Sequence, residues 1–105
     1  MLAWYVEGPP ESEDLLGDDI CMYSEFGELR NWVAQVAPEE VARVFIDVPA
    51  WDGELPAGRV AAVRDCLAAL IELADEVEPW MHAALTRMLR VCNQALAVGR
   101  GIIIE

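Results

Sequence analysis

The chain has 105 residues, a formal net charge of −12 and a hydrophobic fraction of 55%. That length and composition suit a single acidic α/β domain spanning residues 1–105, with a core that needs no metal or disulfide staple, and they exclude a disordered chain. The excess of 19 acidic over 7 basic side chains argues against direct binding to nucleic acid phosphates or to an anionic membrane.

Residues 2–7 (LAWYVE) are aromatic and β-branched and read as a first strand buried on both faces, stopped by Gly8-Pro9-Pro10. Residues 11–19 then read as a polar, acidic loop with Gly17 as a turn residue and Leu15 and Leu16 pinned to the body. A second strand is expected at 20–23. Ser24 follows as a candidate N-cap, with Glu25 and Glu28 at the positive end of a helix over 25–36. Pro38-Glu39-Glu40 starts a helical turn or a loop.

Residues 44–48 (VFIDV) read as a strand ended by Pro49, and 49–58 as a loop turning at Asp52-Gly53. Val60, Val63, Leu67, Leu70, Ile71, Ala74 and Val77 repeat at helical spacing and predict an amphipathic helix over 59–77. Pro79 suits the first turn of a last helix, which Gly99 ends. Residues 101–104 (GIII) have no alternation, which predicts a strand buried on both faces. The expected fold is a three- to four-stranded, mostly parallel sheet covered by about three helices, because helical crossovers join the strands.

Groups able to do chemistry are few: one histidine, two serines, one threonine and no lysine. Ser12, Ser24 and Thr86 lie in no nucleophile-elbow context, and His82 reads as structural or surface-exposed. Gly99-Arg100-Gly101 follows a helix and precedes a strand, the reverse of a dinucleotide-binding turn. The carboxylates at 11–19 do not match an EF-hand spacing. Cys21, Cys66 and Cys92 are widely spaced and read as reduced apolar fillers. No enzyme activity, cofactor or metal is therefore expected. No apolar run approaches the roughly 18 residues that span a bilayer. Met1 to Glu7 lacks a basic stretch, so no export signal is expected and the cytoplasm is the expected location.

The charge is lopsided. Residues 1–54 carry 13 acids against Arg30 and Arg43, while residues 55–105 carry 6 acids against 5 arginines. Acidity alone keeps a small protein soluble, but its concentration in one half favours steering toward a basic protein partner. The expected contact surface combines Glu11, Glu13, Asp14, Asp18 and Asp19 of the acidic loop with Glu25 and Glu28 at the first helix start. The Trp51, Asp52 and Glu54 loop completes it. Trp51 beside carboxylates is the kind of aromatic anchor an interface uses, or else it tucks into the core edge. Trp4 is expected in the core, and Trp32 and Trp80 partly buried.

As a small acidic α/β domain poor in catalytic groups, the chain resembles the bacterial immunity proteins that plug secreted toxins. Its C-terminal order of strand, two helices and strand is similar to that of the barstar family of ribonuclease inhibitors, over the last two thirds of the chain. No residue motif matches, so no binding residue follows from the resemblance, and the acidic loop near residue 15 departs from it. The resemblance implies a non-catalytic, immunity-type inhibitor that occludes the active site of a basic protein toxin. The alternatives are a phage-type inhibitor or DNA mimic aimed at a defence nuclease or other nucleic-acid-binding protein, and a homo-oligomeric accessory protein, such as a homodimer through its apolar helices.

Overall fold

The computed structural model describes residues 1–8 and 17–105. The expected acidic loop, with Glu11, Glu13 and Asp14 and the pinning leucines Leu15 and Leu16, falls largely outside the described residues. In chain order the elements are β1 (Leu2–Val6), β2 (Gly17–Cys21), α1 (Tyr23–Val36), α2 (Glu39–Ile46), β3 (Gly53–Leu55), α3 (Ala57–Leu73), α4 (Pro79–Val98) and β4 (Ile102–Ile104). The strands form one sheet in the order β2-β1-β4-β3.

Every pairing in that sheet is antiparallel, which corrects the expected mostly parallel sheet. The reason lies in the number of helices per connection. One packed helix carries the chain back to the end where the previous strand began, so the next strand runs parallel. A packed pair of helices cancels that return, and the next strand runs antiparallel. Both β2-to-β3 and β3-to-β4 contain a pair, so the described residues hold four helices rather than three.

The extra helix is α2, where residues 44–48 were expected to form a strand. Pro38 precedes it, Glu39 and Glu40 occupy its first turn, and Arg43 pairs with Glu39 at 2.8 Å. These are N-terminal and i,i+4 helix signals. Ala42, Phe45 and Val48 are buried, while Ile46 between them is exposed. Phe45 meets Phe26 of α1 with ring centroids 5.6 Å apart and planes tilted by 34°. Tertiary packing of one helical face therefore overrides the β-propensity of Val-Phe-Ile-Asp-Val.

Other boundaries shift for local reasons. The second strand is Gly17–Cys21 rather than 20–23, and Gly17 is its first residue rather than a turn. A Cβ on Gly17 would sit 2.4 Å from the Trp4 carbonyl oxygen, so only glycine lets the strands approach this closely. Helix α1 is capped by Met22 rather than Ser24, with the Glu25 carboxylate accepting the Met22 N–H at 2.8 Å. Helix α3 stops at Leu73 rather than 77. The acids Asp75, Glu76 and Glu78 that follow would face the negative end of its dipole. Helix α4 starts at Pro79 and ends at Gly99 with φ 68°, where the Arg100 N–H bonds the Ala95 carbonyl at 3.0 Å.

Helix α4 lies on the sheet, α3 packs on α4, α2 on α3, and α1 on α2. The sheet face toward α4 presents Leu2, Trp4, Val6, Leu55, Ile102 and Ile104, all at most 4% exposed. Strands β1 and β4 were expected to be buried on both faces. On the second face Ala3 is buried, while Tyr5 and Ile103 are only half-buried. Trp4 is in the core, and Trp32 and Trp80 are partly buried.

Candidate interaction surface

The strand register places the second sheet face residue by residue. Asp19 stands opposite Ala3, and Ala3 exchanges both backbone hydrogen bonds with Glu105 at 2.9 Å. Asp52 precedes Gly53, which pairs with Ile104, and it lines one shallow hollow together with Glu54 and Glu105. In the next row Tyr5 stands opposite Ile103, and Ile103 opposite Glu54. Residues directly opposite in a ladder share a face. Asp19, Glu105 and Glu54 thus flank the half-buried Tyr5 and Ile103, with Asp52 at the corner.

Asp19, Asp52, Glu54 and Glu105 are exposed, and none is held in an ion pair among the described residues. Six of the seven arginines are engaged elsewhere. Arg43 pairs with Glu39, Arg59 with Asp47, Arg64 with Asp65 and Arg90 with Asp18. Arg30 donates to the Ile46 carbonyl and Arg87 to the Ile20 carbonyl. Carboxylates on neighbouring strands without a counter-charge add their fields, and the face becomes a source of negative potential.

The aromatic part of the surface sits at the end of the sheet where Asp52 lies. Trp51 is 65% exposed and Tyr23, the first residue of α1, is 46% exposed. Together with Asp52 they line one open notch of about 350 Å³. Of the two readings of Trp51, the core-edge one is excluded by its exposure. The Pro49 ring packs so closely on Gly53 that a Cβ there would come within 2.6 Å of it. Asp52 has φ 37°, the left-handed backbone that aspartate tolerates better than most residues.

The expected contact residues therefore divide. Asp19, Trp51, Asp52 and Glu54 are brought to one face and its corner. Asp18 lies on the opposite face, across from Trp4, with its carboxylate 3.6 Å from Arg90 of α4. Glu25 is used as the cap of α1, and Glu28 is exposed along that helix. Glu11, Glu13 and Asp14 lie outside the described residues. Sequence reading missed Tyr5, Tyr23 and Glu105. The strand alternation of Tyr5 against Trp4 was a usable signal, whereas the meeting of Glu105 with Ala3 is a long-range pairing with no local trace.

The remaining titratable groups are dispersed. His82 is exposed on α4, and the Thr86 hydroxyl donates to the His82 carbonyl at 2.9 Å. Among the described residues no group of three or more His, Cys, Asp or Glu is placed to hold a metal. Burial pushes the Cys21 and Cys66 thiols up to about 11 and the Cys92 thiol up to about 12. Cys66 donates to the Val41 carbonyl at 3.3 Å. Such thiols are packing groups rather than nucleophiles at neutral pH. No helix of the described residues is long and apolar enough to cross a membrane.

Comparison with protein-family models, with curated proteins and with solved structures finds no match.

Proposed function

We propose that this protein is a non-catalytic binding protein that covers a basic surface of another protein, as an immunity-type inhibitor occluding the active site of a basic protein toxin in the cytoplasm. One observation carries this reading: the sheet face on which Asp19, Glu105 and Glu54, with Asp52 at its corner, stand without an arginine partner among the described residues. An unpaired acidic face speeds encounter with a basic cleft, and apolar anchors such as Trp51 slow dissociation.

The regular register favours a second reading as well. Asp19, Glu105 and Asp52 come from successive positions across the sheet, with Ala3 intervening, and strands repeat about every 4.8 Å. Negative charges in one row across a sheet face suit mimicry of a nucleic acid backbone, directed at a defence nuclease or another nucleic-acid-binding protein.

A pull-down from the native lysate at low and high salt, with mass spectrometry, tests the proposal. One basic protein is expected, captured stoichiometrically. Its association should slow with added salt and in the combined Asp19→Asn and Glu54→Gln variant. A partner indifferent to both would sink it, and so would a salt-insensitive homo-oligomer seen by light scattering with no captured protein. Competition with a DNA duplex separates the two readings: displacement of the captured partner by DNA favours the mimic.

A further inference from the structure

We infer that the notch between Tyr23, Trp51 and Asp52 receives an arginine side chain of the basic partner, its guanidinium stacked on the Trp51 indole and paired with the Asp52 carboxylate. The inference rests on the basic-partner reading and names the group by which that partner would be anchored.

Three observations converge on this chemistry. The notch, about 350 Å³, is open enough for a side chain and is lined by two aromatic residues and one carboxylate. Among the described residues Trp51 is the most exposed of the large apolar side chains, at 65%, and it stands beside Asp52, which is in no ion pair there. An aliphatic occupant would leave the Asp52 carboxylate desolvated without a partner, whereas a cation satisfies ring and carboxylate together. Arginine suits this pair better than lysine, because its planar group stacks on a ring while its edge bonds a carboxylate.

The notch is also set in place before any partner arrives. Pro49 packs against Gly53 across the loop that carries Trp51 and Asp52. Asp52 is held at φ 37°, and such backbone outliers gather at binding sites. Tyr23 opens α1, whose N-terminal partial charge would repel a cation. The Glu25 carboxylate, bonded to the Met22 N–H at 2.8 Å, offsets that charge.

The test is a nuclear magnetic resonance titration of the intact protein with three capped tripeptides, Gly-Arg-Gly, Gly-Lys-Gly and Gly-citrulline-Gly. Citrulline keeps the shape of arginine and removes its charge. The expected result is shifts centred on the Trp51 indole N–H, the Tyr23 ring and the Asp52 amide, strongest with the arginine peptide and absent with citrulline. Asp52→Gly relieves the backbone and deletes the carboxylate, and should weaken arginine binding about tenfold with the fold intact. Trp51→Ala should abolish it, and Trp51→Phe should retain part of it. Equal response to citrulline, or shifts spread evenly over Asp19, Glu54 and Glu105 with the notch silent, would overturn the inference. In the second case the acidic face would still bind a basic partner. An arginine-specific notch in a protein that captures no basic partner would keep the inference as a cation site and remove the larger reading.

Discussion

The Arg87 guanidinium of α4 donates to the carbonyl oxygen of Ile20 in β2 at 3.1 Å, a bond between residues 67 positions apart. It ties the edge strand carrying Asp19 to the helix under the sheet. A charged donor on a backbone carbonyl is worth more than a neutral hydrogen bond, and the partly exposed setting reduces that gain. Replacement by methionine keeps the aliphatic stem and removes the donor. Arg87→Met is expected to cost about 1 kcal/mol in urea unfolding. Hydrogen exchange should quicken in β2 before it does in β4, and uniform quickening would argue against a local tether.

Residues 44–48 offer a direct test of helix against strand. Phe45 is fully buried against Phe26, whereas Ile46 is 45% exposed. Phe45→Ala should cost about 3–5 kcal/mol. Ile46→Ala should change stability by about 0.5 kcal/mol or less. Chemical denaturation of the two variants checks this, and similar large losses at both sites would contradict the helical face.

Two glycines should respond to alanine in opposite directions. A Cβ on Gly101 would come within 2.6 Å of the Leu55 carbonyl oxygen and 3.3 Å of the Ala57 amide nitrogen, both backbone atoms. Gly101→Ala therefore forces β3 away from β4 and should destabilise by about 1–3 kcal/mol. Gly27 lies within α1 and has nothing within 4 Å of the position a Cβ would take. Gly27→Ala should stabilise by about 0.5–1 kcal/mol, since alanine restricts the unfolded chain. Paired thermal melts decide both signs.

The buried thiols set an alkaline limit to stability. Burial raises Cys21 and Cys66 from 9.0 to about 11 and Cys92 to about 12. The unfolded chain loses these protons first. Their contribution is intact below pH 9.0 and is lost progressively as pH rises through 11 to 12. Thiolate ultraviolet absorbance should rise near the ordinary cysteine value in denaturant and about two pH units or more higher in the native protein. Rapid alkylation of the native protein at neutral pH would refute the burial argument.

Local chemistry accounts for much of the chain. Pro79 and Gly99 bracket α4 because one has no N–H to lose and the other accepts positive φ. The three- and four-residue spacing from Val60 to Leu70 builds α3, and the acidic first half follows from composition alone. Sheet direction and the composition of the acidic face are matters of long-range packing. Val44, Phe45 and Ile46 suit a strand by propensity, and they are helical because Phe45 finds Phe26 while Glu39 and Arg43 stabilise the turn. That one helix makes a pair in the β2-to-β3 connection, to match the α3–α4 pair between β3 and β4, and so sets β3 antiparallel to β2. Asp19, Asp52 and Glu105 lie far apart in sequence and become neighbours only through pairings with Ala3 and Ile104, which no local window contains.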